Sequence, residues 1–325
     1  MEKIKTILVT GALGQIGSEL VPELRKKFGN ENVIAVGHRT QPSEEFKNQG
    51  PFEFADARDK DALKNLIEKY EINEIYHLVG ILSASGEKNP SLTWDVNMNS
   101  LKNILDLAVE YKINKVFWPS SIAAFGPTTP RDNTPQRTIL EPSTMYGVTK
   151  VAGELMCNYY FVKYGLDVRS LRYPGVISWK TAPGGGTTDY AVAIYYDALQ
   201  KGSYDCFVNE ETVLPMMYMD DAVKATIDLM EAPKENISIR TSYNIGAISF
   251  SAKELAEEVS KHVNNFKCTF NPDHRQQIAN SWPKVIDDSY ARKDWNWQHD
   301  FDLEKMSIEM INNLKNKFEN GEKNE

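Results

Sequence analysis

Three glycines in the segment Gly11-Ala-Leu-Gly14-Gln-Ile-Gly17 directly follow the apolar run Ile7-Leu8-Val9 and precede Leu20, Leu24 and Phe28 at helical spacing. Strand, glycine loop and amphipathic helix in that order constrain a whole domain. Gly11 permits a tight turn, Gly14 lets the backbone approach a pyrophosphate, and Gly17 lets the helix pack closely on its strand. The helix start, entered through Gln15 and Ile16, offers N–H groups to phosphate oxygens. Two residues rather than one separate the first pair of glycines. A turn required only for packing is the competing reading.

Strand-like runs at 6–10, 33–36, 52–54, 74–79, 115–118 and 167–173 alternate with amphipathic segments, among them Leu101, Ile104, Leu105 and Ala108. That rhythm predicts an α/β fold: a Rossmann-type doubly wound parallel sheet with its ligand at the carboxyl ends of the strands. After Pro174 the rhythm breaks into a loop rich in Gly, Thr and Pro. The expected division is a dinucleotide-binding domain over 1–178, with 218–247 returning to it, and a smaller substrate-binding lobe from 179–217 and 248–325. Helices are expected over 220–230, 251–263 and 303–318, with a frayed tail at 319–325.

A net charge of −8 over 325 residues opposes nucleic-acid or anionic-membrane binding. No apolar run approaches the roughly 20 residues that span a bilayer. Cys157, Cys206 and Cys268 are far apart and outside metal-ligand spacing, so no metal is expected. With no leader ahead of the first strand, a cytoplasmic protein in a reducing environment is expected.

Tyr146 and Lys150 lie four residues apart, on one face of a helix, and can share a proton-transfer task. A tyrosine ordinarily titrates near ~10, and a neighbouring ammonium together with an oxidised nicotinamide should lower that value. Lys150 also suits a nicotinamide ribose. Ser120 and Ser121 place hydroxyls where a substrate alcohol would lie, with Ser121 the expected participant; a simple strand-to-loop turn is the alternative. At the end of the second strand, where dinucleotide sites hold the ribose with a carboxylate, the chain reads Val36-Gly37-His38-Arg39. Gly37 removes the ribose acceptor, and Arg39 can pair with a 2′-phosphate. Asp56, followed by Ala57, suits the adenine amino group or a polar turn. Asn97 serves either as buried structural polarity or as a participant.

The glycine loop, Ser120-Ser-Ile-Ala-Ala-Phe-Gly126, Tyr146-x-x-x-Lys150 and Arg172-Tyr-Pro-Gly175 resemble the extended short-chain dehydrogenase/reductase family over nearly the whole chain. Further blocks, Ile81-Leu-Ser-Ala-Ser85, Glu87-Lys-Asn-Pro90, Pro183-Gly-Gly-Gly-Thr-Thr-Asp-Tyr190, Met216-Met-Tyr-Met-Asp-Asp221 and Ser281-Trp-Pro283, are similar to its threonine-oxidising branch, the short-chain type of L-threonine 3-dehydrogenases. The resemblance implies NAD-dependent oxidation of the L-threonine β-hydroxyl to L-2-amino-3-oxobutyrate, with hydride passing to nicotinamide C4. Tyr146 would be the base, Ser121 would orient the oxygen and Lys150 would tune Tyr146. Ser83, Gly186, Thr187, Thr188 and Asp189 would line the amino-acid pocket, and Trp282 would close it. Leu78, Val79, Gly80, Asn97, Ser120, Tyr173, Pro174 and Ile177 would surround the cofactor. A homodimer formed through the long helices around 91–111 and 149–164 is also implied.

A zwitterionic substrate needs an anion site and a cation site, which the glycine loop before a helix start and Asp189 can supply. Helix capping by Thr187, Thr188 or Asp189 and core packing of Trp282 are the simpler alternatives. Gly37 departs from the aspartate common in the family, which puts NAD preference in question and leaves NADP tolerated. Two other functions share the motifs: a nucleotide-sugar epimerase or dehydratase, and a dinucleotide sensor without turnover.

Overall fold

The computed structural model describes residues 5–184 and 186–320. The middle glycine of the 184–186 triplet and residues 321–325 lie outside the described residues; of the tail expected to fray, 319–325, Glu319 instead ends the helix Leu303–Glu319 and Asn320 caps it. Twelve strands are described: β1 (Ile7–Thr10), β2 (Val33–Gly37), β3 (Phe52–Phe54), β4 (Glu74–His77), β5 (Lys115–Ser121), β6 (Asp167–Tyr173), β7 (Gly175–Ile177), β8 (Ser203–Cys206), β9 (Val213–Tyr218), β10 (Tyr243–Asn244), β11 (Ile248–Ser251) and β12 (Lys267–Phe270).

The fold is α/β of the doubly wound Rossmann type. Seven strands form one sheet in the order β10-β6-β5-β4-β1-β2-β3, and every pair in it is parallel. The chain runs outward from β1 to β3 in one direction and from β4 to β10 in the other, so the strand order reverses between β1 and β4. Helices cover both faces. Leu20, Val21 and Leu24 of the helix Gly17–Phe28 pack on one side with Ala222, Val223 and Leu229 of Met219–Glu231. Leu63 and Ile67 from Lys60–Lys69, and Leu101, Ile104 and Leu105 from Ser100–Glu110, pack on the other. These faces bury the periodic apolar positions that make the segments helical.

A second, three-stranded sheet runs in the order β11-β9-β7, and β8 pairs with β12. A third apolar cluster there joins the helices Tyr190–Lys201, Ala252–His262 and Leu303–Glu319, and reaches back to Tyr146, Ile177 and Trp282. The capping box of Ser251 and Glu254 fixes the start of Ala252–His262. Among the described residues no helix is long and apolar enough to cross a membrane.

Two strands depart from expectation. β4 ends at His77, and Leu78 and Val79 bend beneath the glycine loop. Gly11 (φ 74°) sits so close that a Cβ there would lie 3.0 Å from the Leu78 carbonyl carbon and the Val79 nitrogen. β5 continues through Pro119 to Ser121. Beyond Phe117 it pairs only with β6, so a proline can be accommodated on the unpaired side.

Candidate active site

The glycine loop rises from β1 and enters a helix whose N-cap, Ile16, has no side-chain acceptor to offer the first turn. Ser18 N–H is taken by the Gly14 carbonyl at 2.9 Å and Glu19 N–H by the Ile16 carbonyl at 3.2 Å, so among the described residues the N–H groups left for an external anion are those of Gln15, Ile16 and Gly17. Gly17 is needed for packing in any case, because a Cβ on it would lie 2.3 Å from the Gly11 carbonyl oxygen.

At the carboxyl ends of the central strands a cavity of about 290 Å³ is lined by Gly11, Gly14, Gln15, Ile16, Gly17, Leu78, Gly80, Ser83, Ser120, Ser121, Tyr146, Lys150, Tyr173, Pro174, Gly186, Thr187, Thr188, Asp189 and Trp282. Leu82, Pro119, Ile122, Gly175 and Val176, which were not expected as site residues, complete its wall. An adjoining cavity, sharing Gly11, Gly14, Leu78 and Gly80, takes in Gly37, Arg39, Asp56, Ala57 and Val79, with His38, Thr40 and Arg58 beside them. The two together form an elongated trough across the strand ends, from β2 to the loop before Tyr190.

Asn97 and Ile177 line neither cavity. Asn97 is used internally: its Oδ1 accepts from the Ile81 N–H at 2.7 Å, while Nδ2 donates to the Ile81 carbonyl at 3.1 Å and to Thr149 Oγ1 at 3.0 Å. Ile177 is buried in the apolar cluster behind the pocket.

Tyr146 and Lys150 occupy the first turns of Met145–Tyr164, whose start is capped by Thr144 accepting from the Gly147 N–H. Both side chains are buried, and the Lys150 ammonium lies 5.2 Å from the Tyr146 ring centroid and 4.5 Å from that of Trp118. It donates to the Pro119 carbonyl at 2.6 Å. Burial pushes the phenol up to about 12, with the Ser121 hydroxyl acting the other way. Burial also lowers Lys150 to about 7, against the raising influence of Glu154 and then Cys157. The sequence expectation that Lys150 depresses Tyr146 is thus not met by the chain's own groups. The reason is geometric: the ammonium faces a carbonyl, and its own charge is disfavoured by burial.

Beneath them, Glu154 accepts from Arg172 through both oxygens, at 2.8 and 2.6 Å, and from Ser120 Oγ at 2.6 Å. This buried pair fastens the Tyr146 helix to β6, and Ser120 is committed to it. Ser121 accepts from the Ala123 N–H at 3.2 Å and so makes the turn weighed as an alternative, while also lining the cavity opposite Tyr146. Tyr173 reaches its cavity position with its hydroxyl bonded to Thr226.

At the far end Asp189 occupies the cap position of Tyr190–Lys201 with its carbonyl accepting from the helix and its side chain making no cap bond; the carboxylate instead accepts from the Gly186 N–H at 2.8 Å. Thr187 Oγ1 is buried and meets no hydrogen-bond partner among the described residues. Such an orphaned hydroxyl costs stability unless a ligand engages it. Trp282 is nearly buried, and its carbonyl is held by Arg131 Nε at 2.8 Å. In the adjoining cavity, Asp56 is gripped by Arg58 and held at about 2, while Arg58 also reaches Asp95 at 2.8 Å.

Residues 7–246 match the NAD dependent epimerase/dehydratase family. The mitochondrial L-threonine 3-dehydrogenase of Sus scrofa is 50% identical over 307 residues, covering 94% of this chain and 82% of that one. The holo form of the L-threonine dehydrogenase from Cupriavidus necator superposes with a TM-score of 0.92 at 48% identity, covering 95% of this chain and 99% of the other. A monomeric L-threonine 3-dehydrogenase from a metagenome, in its apo form, gives 0.91 at 51% identity, covering 96% and 99%. With a parallel seven-stranded sheet, a glycine loop at its reversal point and a match over most of its length, the chain belongs to the NAD-dependent epimerase/dehydratase family, the extended short-chain dehydrogenases and reductases.

Proposed function

We propose that the protein is an L-threonine 3-dehydrogenase, oxidising the β-hydroxyl of L-threonine to L-2-amino-3-oxobutyrate. The observation that carries this reading is the single trough joining the glycine loop, the Tyr146–Lys150 pair and the orphaned Thr187 hydroxyl, in a chain about half identical to L-threonine 3-dehydrogenases. The residues present fit a nicotinamide dinucleotide: the glycines let the loop pack tightly on itself and on Leu78 and Val79, and Gln15, Ile16 and Gly17, whose N–H groups are not taken by the turn, line the cavity where a pyrophosphate would lie. Gly11, Gly14, Gln15, Ile16 and Gly17 would hold the pyrophosphate, Asp56 and Ala57 the adenine, and Leu78, Val79, Gly80, Tyr173 and Pro174 the nicotinamide half. When bound, the oxidised nicotinamide supplies a two-electron acceptor and a positive charge.

Tyr146 Oη takes the proton of the substrate hydroxyl as the Cβ hydrogen departs with its electron pair. Ser121 Oγ orients the substrate oxygen. Lys150 holds a nicotinamide ribose hydroxyl and places positive charge beside the phenolate. Ser83, Thr187 and Thr188 receive the amino acid, Asp189 balances its ammonium, and Trp282 covers the pocket. Residues 1–178 with 218–247 form the dinucleotide half and the remainder the substrate half. With Gly37 in place of a carboxylate, NAD remains usable with weakened affinity and NADP is tolerated.

Subunit pairing follows the same lines. Val148, Leu155, Tyr159 and Val162 are exposed on one stripe of Met145–Tyr164, with Val162 73% exposed. A stripe of this kind supports a homodimer packed helix against helix. Three free cysteines are in keeping with a reducing compartment such as the cytoplasm.

Mixing the protein with L-threonine and NAD or NADP, and following near-ultraviolet absorbance, tests the reading. Reduction with L-threonine but not D-threonine supports it. No reduction in folded, cofactor-binding protein turns the search to nucleotide sugars or to a sensor.

A further inference from the structure

The outer edge of the adenosine cavity lacks, at Gly37, the carboxylate that the family resemblance leads one to expect, and carries a cation, Arg39, two residues further on. β2 ends at Gly37, and His38, Arg39 and Thr40 follow on the exposed rim. Among the described residues Arg39 makes no hydrogen bond and no ion pair. The nearby acids are already matched: Arg58 grips Asp56 through both its oxygens and reaches Asp95 at 2.8 Å, while His38 Nε2 lies 3.5 Å from Asp56.

The place of the missing carboxylate is filled. A Cβ on Gly37 would lie 2.7 Å from Phe52 Cζ, so an apolar ring stands where an acceptor for the ribose 2′-hydroxyl would project. A ribose bearing a free 2′-hydroxyl finds no charged acceptor at position 37, whereas a 2′-phosphate finds an uncommitted guanidinium, the group best shaped to bind it through two parallel hydrogen bonds.

We propose that this cavity selects the 2′-phosphorylated dinucleotide, NADP over NAD, with Arg39 binding the 2′-phosphate and Gly37 and Phe52 withholding the alternative contact. The inference rests on the dinucleotide reading above and not on the identity of the amino-acid substrate.

Calorimetry on the full chain with two adenosine fragments, 5′-AMP and adenosine 2′,5′-bisphosphate, tests this without any turnover. At low salt the bisphosphate binds about ten- to hundredfold more tightly. The ratio narrows as salt rises, because the rim is open to solvent. Arg39→Ala brings the ratio towards one, and Arg39→Lys retains part of it. Equal affinities in the wild type, or an undiminished ratio in Arg39→Ala, overturn the proposal alone. Failure of both fragments to bind overturns it together with the dinucleotide reading.

Discussion

The Phe52 ring and the Cα of Gly37 face each other across adjacent strands so closely that residue 37 has no room for a side chain unless the ring moves. Gly37→Asp alone therefore overpacks the β2–β3 edge and costs about 1–3 kcal/mol of stability, read as a lower thermal midpoint. In the double variant Gly37→Asp with Phe52→Val the trimmed side chain leaves space for the carboxylate. Fragment binding then inverts, with 5′-AMP held more tightly than the 2′,5′-bisphosphate. An unaltered preference in the double variant would separate cofactor choice from this strand edge.

That relationship also marks where sequence reading stops. The glycine loop and the Tyr146–Lys150 spacing are legible because each requirement is local: a turn with positive φ, or one helical face. The βαβ rhythm is legible because both faces of the sheet bury periodic apolar residues. That Phe52 fills the space beside Gly37, that Arg58 occupies Asp56, and that Lys150 turns to the Pro119 carbonyl are decided by groups brought together from distant parts of the chain. The length of β5 escaped for a related reason: Pro119-Ser-Ser reads as a turn until the shortness of β4 is known. The sequence allows Asn97 either of two roles, and the fold decides between them by committing its amide to Ile81 and Thr149.

The proton-transfer pair has a pH signature. Burial holds Tyr146 at about 12 and Lys150 at about 7 in the chain by itself, so activity requires added positive charge to bring the phenol down. A phenol acting as base makes kcat/KM rise with pH. With the dinucleotide bound, Lys150 would gain a ribose partner that favours its ammonium form; Lys150→Met removes that charge, 5.2 Å from the ring centroid, and is expected to move the rising limb to higher pH while lowering the rate at pH 8. Tyr146→Phe, which removes the base altogether, lowers turnover by about 10²–10⁴ with fragment binding retained. A pH profile in Lys150→Met that overlies the wild type would remove Lys150 from the tuning of Tyr146.

His77 is fully buried between Thr10 Oγ1, 2.7 Å from Nδ1, and Ser100 Oγ, 3.0 Å from Nε2. Burial, and then the charge of Lys150, depress its pKa to about 3. The unfolded chain binds this proton near its ordinary value of 6.5, so between about 3 and 6.5 the unfolded state holds more protons. Stability accordingly falls as pH drops through that window, by up to about 1.4 kcal/mol per pH unit from this group. His77→Gln, which retains a donor and an acceptor, lacks that contribution. The difference between wild-type and variant unfolding free energies, measured in urea at pH 7 and again at pH 4.5, should shrink at the lower pH. A constant difference would mean that His77 is not held neutral.

Thr187 offers the sharpest separation of folding from function. Its Oγ1 is buried without a partner among the described residues, so the hydroxyl contributes a desolvation cost to the chain on its own and regains hydrogen bonding with a polar ligand in the pocket. Thr187→Val replaces that hydroxyl by a methyl group. The thermal midpoint is expected to stay level or rise, while KM for L-threonine increases by about ten- to hundredfold if the lost bond is to a charged group of the substrate. Fragment binding at the adenosine end should be indifferent to the change. A residue that merely packed the loop would show the reverse pattern, a lower midpoint with KM unmoved, and that outcome would remove Thr187 from the amino-acid site.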